Sequence, residues 1–64
     1  MTYREGAYVV DTRSAKLAQV MARAGDRVYV RPPAGGREWE APAEALRLVT
    51  RDEQAAAGLA RRPR

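Results

Sequence analysis

The sequence predicts a small all-β domain of five short strands, and the clearest observations are two stretches in which apolar and polar side chains alternate. Residues 27–31 place Val28 and Val30 on one face and charged or aromatic side chains on the other, which is the period of two of a half-buried strand. Residues 38–41 alternate in the same way, with Trp39 between two glutamates. The intervening Pro-Pro-Ala-Gly-Gly sequence suits a chain reversal, because proline fixes φ and glycine accepts positive φ. We therefore predict a hairpin with Trp39 on its core side.

The first two strands are predicted from composition and from the turn that follows them. Residues 7–11 are β-branched and aromatic, as strands often are, and Asp11 is well placed to start the polar connection over residues 12–16. Residues 17–23 are ambiguous because Ala, Leu, Gln and Met favour a helix. We predict a strand there, since an Ala-Gly-Asp turn leads straight from this segment into residues 27–31.

The second half of the chain predicts a closing strand and then a tail. Proline followed by helix formers at residues 41–45 indicates a single helical turn, and residues 46–49 alternate as a fifth strand. Thr50 and Glu53 have the spacing of a capping box, so a helix over residues 51–57 is predicted, with a disordered tail as the alternative. The predicted core consists of Val20, Val28, Val30, Trp39, Leu46 and Leu48. The predicted division of the chain is a frayed N-terminus at 1–5, a domain at 6–50 and a C-terminal helix or basic tail at 51–64.

Composition narrows the classes of function. The 64 residues make one small domain, and they include neither Cys nor His. Thiolate metal sites, disulfides and the commonest acid–base side chain are therefore missing, and we expect no enzyme, no metal and no other cofactor. No apolar run approaches the roughly 20 residues of a membrane span, and the N-terminus lacks an apolar signal region, so a cytoplasmic protein is expected.

The net charge of +4 is divided evenly between the domain and the tail. Residues 1–50 carry eight basic and six acidic side chains, and residues 51–64 carry four basic and two acidic, so each part contributes +2. A nucleic-acid binder usually carries a concentrated basic stripe. This distribution indicates such a stripe weakly for the domain and somewhat more strongly for the tail.

The predicted order of elements is the plan of a small five-stranded SH3-like barrel, in which closure would remove the exposed sheet edges. Residues 6–11 and 17–21 resemble the opening strands of PRC-barrel and KOW-type modules. Residues 28–32 together with residues 35–41 resemble a group of short actinomycete proteins without an assigned activity. The resemblance covers most of residues 6–50, and it implies an SH3-like barrel without implying an activity.

One face of the predicted hairpin has the chemistry of a binding surface. Tyr29 stands between two arginines on this face, so an aromatic ring has basic neighbours. The candidate partner-binding residues are Tyr8, Arg27, Tyr29, Arg31 and Arg37. The alternative for Trp39 is an exposed stacking platform, but a chain without Phe needs this side chain in its core.

These observations favour a noncatalytic interaction module that uses this face and the Pro/Gly loop to bind a protein partner or a second copy of itself. The alternative is an accessory nucleic-acid-binding protein that combines the same basic face with the arginines of the tail. The candidate nucleic-acid contacts in the tail are Arg61, Arg62 and Arg64. Neither a membrane nor a metal ion is expected as a partner.

Overall fold

A computed structural model describes residues 3–58 of the chain, and these residues form five strands and two short helical segments. The elements are β1 (Tyr8–Asp11), β2 (Lys16–Ala24), β3 (Arg27–Arg31), β4 (Trp39–Pro42), a 3₁₀ turn (Ala43–Ala45), β5 (Leu46–Leu48) and α1 (Arg51–Ala56). The predictions of an all-β fold, of a helical turn before the last strand and of a short C-terminal helix are confirmed.

The strands form one antiparallel sheet in the order β4-β3-β2-β1-β5. Hairpins pair β1 with β2, β2 with β3 and β3 with β4, while β5 returns to the other side of β1. Within residues 3–58 no ladder joins β4 to β5, so the sheet is open and barrel closure is not confirmed. The two edge strands have only four and three residues, and short edges limit pairing with other chains.

β2 is the longest strand and pairs with β1 along one part and with β3 along another. Its register with β3 shifts between Val20 and Ala22, an irregularity of the kind that bends and twists a strand. The β2–β3 turn contains Gly25 at φ 65°, a left-handed conformation that glycine adopts without strain. The predicted strand over residues 17–23 is therefore confirmed and extends slightly at both ends.

The core lies on one face of the sheet and is made mainly of small side chains. Its buried members are Tyr3, Val9, Ala18, Val20, Val28, Val30, Ala41 and Leu46. Trp39 is half-buried and packs against this cluster. Because Val and Ala each remove little area from water, the stability of this core depends on many modest contributions.

Two predictions about burial are wrong. Tyr3 belongs to the segment predicted to fray, yet it is 6% exposed, and its hydroxyl donates to the carbonyl oxygen of Leu46 at 2.6 Å. A tyrosine can fill the core in this way because the bond satisfies its hydroxyl. Leu48 was predicted in the core and is 51% exposed, because it ends a three-residue edge strand that pairs with β1 alone among the described strands.

Helix α1 begins with the predicted capping box. The Thr50 hydroxyl accepts from the backbone N–H of Glu53 at 3.1 Å, and the Glu53 carboxylate accepts from the backbone N–H of Thr50 at 2.8 Å. The helix buries none of its residues, and Glu53 also pairs with Arg47 of β5 at 2.6 Å. The predicted basic extension at 61–64 lies outside the described residues. No helix within the described part of the chain is long and apolar enough to cross a membrane.

Candidate partner-binding groove

The candidate site is built around Asp11, a buried carboxylate at the end of β1. Asp11 is 1% exposed. Its Oδ1 accepts from the backbone N–H of Arg13 at 3.0 Å and from Arg13 Nε at 3.1 Å. Its Oδ2 accepts from Arg13 Nη2 at 2.9 Å and from Trp39 Nε1 at 2.9 Å. Each oxygen therefore has two donors in place of water, which is what a buried carboxylate requires.

The ion pair with Arg13 fixes the protonation state of this carboxylate. Hydrogen bonds from the Arg13 side chain hold the pKa of Asp11 well below its usual range, and they outweigh burial, which acts in the opposite direction. The N–H of Trp39 lowers the same pKa further. Asp11 is thus ionised at neutral pH, and it acts as a hydrogen-bond acceptor that positions its two partners.

The β1–β2 loop turns Arg13 back towards this carboxylate. The backbone N–H groups of Ser14 and Ala15 donate to the carbonyl oxygen of Asp11 at 3.2 and 2.7 Å, so Asp11 starts the turn as predicted. Ala15 has φ 59°, a left-handed conformation that is unfavourable for a residue with a Cβ. Arg13 Nη2 also lies 3.4 Å from the carbonyl oxygen of Glu40, which links the loop to edge strand β4.

Trp39 contributes both to the core and to the groove. It pairs with Val30 across β3 and β4, which places its side chain on the core face of the sheet. The ring packs against the core but is only half-buried, and its N–H is held by Asp11. The ammonium nitrogen of Lys16 lies 5.9 Å from the ring centroid, within the range of a cation–π contact. Trp39 is therefore neither fully buried in the core nor fully exposed: it packs against the core and also lines a surface groove.

The half-buried ring borders an open groove of about 860 Å³, here called the Trp39 groove. Its lining consists of Asp11, Arg13, Ser14, Lys16, Leu17, Pro32, Arg37, Glu38 and Trp39. The apolar part of this lining comes from Leu17, Pro32 and the indole, and most of the other lining residues are charged. A groove lined by both apolar and charged side chains has the general composition of a site for a protein segment.

The structure divides the predicted partner-binding residues between two surfaces. Arg37 lines the Trp39 groove. Arg27, Tyr29 and Arg31 instead lie on the sheet face opposite the core, since they alternate along β3 with buried valines. Tyr8 belongs to that same outer face, because the register aligns it with Gln19 and aligns Gln19 with Arg31. The tail arginines Arg61, Arg62 and Arg64 lie outside the described residues.

The outer face contains one unusual donor. The Nε of Arg31 is buried and has no hydrogen-bond partner within residues 3–58. The groove, by contrast, has its buried carboxylate fully paired and an aromatic ring held in place. We therefore regard the groove, rather than the predicted outer face, as the better-formed candidate site.

Sequence reasoning missed three charged residues of this groove. Asp11 was predicted only as a turn residue, and neither Arg13 nor Lys16 was singled out. The sequence did contain an indication, since Asp11 shares the alternation of Val9 and therefore points inward, and Arg13 follows two positions later. An inward-pointing carboxylate near the end of an apolar strand needs a cation and further donors, and a nearby arginine is the obvious candidate.

Two smaller clefts are also present. One of about 500 Å³ lies beside Tyr3 and the β2–β3 turn, and another of about 400 Å³ lies between α1 and the sheet. Within the described residues, no group of three or more His, Cys, Asp or Glu side chains is arranged to hold a metal ion.

Comparison with known proteins adds no relative, because no family model, no curated protein and no solved structure matches this chain.

Proposed function

We propose that the protein is a noncatalytic interaction module whose Trp39 groove binds an extended segment of a protein partner. The observation that carries this proposal is the hydrogen bond from the indole N–H of Trp39 to the buried carboxylate of Asp11. Since Arg13 in turn fixes that carboxylate, the ring is held at the groove wall before any ligand arrives. An aromatic side chain that needs no ordering on binding loses little conformational entropy when a ligand packs on it.

The composition of the groove supports the same proposal. Partially exposed tryptophans surrounded by apolar neighbours are common energetic centres of protein interfaces. Here Leu17 and Pro32 supply the apolar neighbours in the lining, and Arg37 and Glu38 supply charged groups in the same lining. Proline and tryptophan present flat, rigid surfaces, so an extended backbone can pack on them without reorganising the site.

We extend the proposal to the fold, which we interpret as an SH3-like barrel. Three features support it: the strand order with β5 beside β1, the 3₁₀ turn between β4 and β5, and the register shift that bends β2. In such a barrel the long β2 would contribute to two orthogonal halves of one sheet. The groove would then lie between the β1–β2 loop and the β3–β4 loop.

Nucleic-acid binding is the second candidate, and the position of Trp39 among basic side chains favours it. Charge argues against it as the main function. Residues 3–58 carry nine basic and eight acidic side chains, which is a net charge of only +1. Two carboxylates also lie in the groove itself, where a phosphate backbone would have to pass. We expect this protein to bind random DNA or RNA no more tightly than the nonspecific range of about 10⁻⁴ to 10⁻⁶ M at physiological salt.

The proposal can be tested with the intrinsic fluorescence of Trp39, which is the only tryptophan in the chain. Peptides selected from a phage-displayed library on the immobilised protein are titrated against the protein in solution. We expect saturable changes in Trp39 emission and protection of the ring from iodide. Pro32→Ala, in the groove, should weaken binding, while Tyr29→Ala, on the outer face, should leave it unchanged.

If Tyr29→Ala weakens binding and Pro32→Ala leaves it unchanged, the peptide binds the outer face and the groove proposal is overturned. Selection of no peptide, together with submicromolar binding of oligonucleotides at physiological salt, would favour the second candidate. Emission that depends on protein concentration alone would identify a second copy of the chain as the occupant. Circular dichroism of both variants controls for loss of folding.

A further inference from the structure

We infer that the segment bound by the Trp39 groove is acidic and presents a planar side chain, aromatic or proline, next to a carboxylate. This inference rests on the function proposed above, and it specifies the class of partner. It follows from which charges in the groove are already paired, and from the position of one lysine over the indole.

The groove has an excess of unpaired cations. Of its three basic side chains, only Arg13 forms an ion pair within residues 3–58, and that pair uses the carboxylate of Asp11. Lys16 and Arg37 form none there, and Glu38 is the one acidic side chain of the lining that also forms none. Two free cations and one free carboxylate therefore face a ligand, which favours an anionic segment.

Lys16 makes the preference more specific. Its ammonium nitrogen lies over the Trp39 ring, 5.9 Å from the ring centroid, and Lys16 and Trp39 both line the groove. A ring that stacks there has to move the ammonium aside, and the lysine then loses its contact with the indole. A carboxylate adjacent to the incoming ring would receive the displaced ammonium, and the flexible lysine stem allows this movement. A neutral or basic segment offers no such replacement.

Arg37 supplies a second positive group to the lining of the groove. It follows Gly35 and Gly36, whose φ values of 97° and 132° are disfavoured for residues with a Cβ. Arg37 is itself exposed, so its guanidinium is available to a ligand. A guanidinium can accept a carboxylate through two parallel hydrogen bonds, which would fix the direction in which the segment lies.

The test uses three pooled peptide libraries that share a fixed central Tyr or Pro and differ only in their flanking residues, which are Glu, Gln or Lys. Binding to the full chain is followed by Trp39 fluorescence at low and at physiological salt. We expect the Glu library to bind about tenfold more tightly than the Gln library, and the difference to shrink as salt increases. The Lys library should bind most weakly.

Charge reversal with a matched control separates a groove effect from a general effect of net charge. Lys16→Glu and Arg37→Glu should each weaken binding of the Glu library about tenfold. Arg23→Glu makes the same change in charge at an exposed position of β2 outside the groove, and should change binding less than twofold. The double variant Lys16→Glu/Arg37→Glu should prefer the Lys library, a reversal that simple loss of structure cannot produce.

The possible failures are distinguishable. If peptides bind and perturb Trp39 but the Glu and Gln libraries bind equally, the proposed function stands and the acidic preference is wrong. If no library perturbs Trp39, both the proposed function and this inference fail. Oligo(dT) or oligo(U) binding more tightly than the Glu library, with a loss on Arg37→Glu, would mean that the cations serve a phosphate backbone and would overturn the acidic-peptide assignment.

Discussion

At the scale of single residues, Asp11 connects the stability of the fold with the shape of the groove. Its carboxylate accepts from Arg13 on one side and from Trp39 on the other, and it is almost fully buried. Removing one partner of such a group leaves the others unsatisfied in a low-dielectric environment, which costs more than the bond itself contributes. Asp11 is therefore a positioning residue, since it acts on a ligand only through the ring and the guanidinium that it holds.

Asp11→Asn should destabilise the protein and loosen the ring. The asparagine keeps the size of the side chain, but its NH₂ group would face the donors Arg13 Nη2 and Trp39 Nε1 if it took the place of Oδ2. We expect a loss of about 2–3 kcal/mol in the free energy of unfolding, as is typical for hydrogen bonds to charged groups. Urea denaturation measures the loss, and increased iodide quenching of Trp39 in the folded variant measures the looser ring.

Asp11→Asn should also change how the stability of the fold responds to acid. Because the folded-state pKa of Asp11 lies below its unfolded value of about 3.9, its contribution to stability is fully present above that pH and is lost as pH falls towards the folded-state value. Glu53, whose pKa the Arg47 side chain lowers to about 2, acts in the same direction in both proteins. The stability of Asp11→Asn should therefore decline less steeply below about pH 4 than that of the parent chain. If stability falls equally steeply with pH in the two proteins, the pKa of Asp11 does not differ between the folded and unfolded states.

At the scale of elements, β5 shows that a regular alternation of apolar residues does not predict how deeply each residue is buried. Leu46 and Leu48 point to the same face of the strand, and the sequence predicts both in the core. Leu46 is 5% exposed beside Asp11 of β1, whereas Leu48 is 51% exposed opposite Val9. A period of two identifies the face of a strand, but the extent of the core beneath that face depends on neighbours distant in sequence.

Leu46→Ala and Leu48→Ala make the same chemical change two positions apart and should differ sharply. Truncating the buried Leu46 should cost about 2–4 kcal/mol, since it removes apolar contacts and leaves a cavity. The same truncation at the exposed Leu48 should cost less than about 1 kcal/mol. Chemical denaturation of the two variants under one set of conditions provides the comparison. Similar losses at both sites would mean that a partner, or another part of the chain, covers Leu48 in solution.

At the scale of the whole molecule, local patterns predict the strands, whereas long-range contacts determine how the core and the Trp39 groove are assembled. Alternation, β-branched residues and glycine or proline turns located all five strands and the capped helix, because each is encoded within a few residues. The contacts that organise the groove and close the core join positions far apart, Trp39 to Asp11 across 28 residues and Tyr3 to Leu46 across 43. The alternation of β1 does place Asp11 on the inward face with Arg13 close by, but no local pattern specifies Trp39 as a partner of Asp11 or Leu46 as the partner of Tyr3. These two long-range contacts could not be predicted.

The two ends of the chain should therefore contribute unequally to folding, in a way that sequence alone does not indicate. Deleting residues 2–5 removes Tyr3, a buried aromatic whose loss should cost about 3–5 kcal/mol, and a domain of this size seldom has more than about 3–5 kcal/mol in total. That chain should be largely unfolded.

Deleting residues 52–64 removes most of α1, which buries none of its residues and whose ion pair with Arg47 is solvent-exposed, so this chain should stay folded. Circular dichroism and Trp39 emission distinguish these outcomes, and Tyr3→Phe serves as a control that keeps the ring and removes only the hydrogen bond to Leu46. A folded chain without residues 2–5 would mean that Tyr3 is dispensable, and unfolding on removal of α1 would mean that the helix is part of the folding unit.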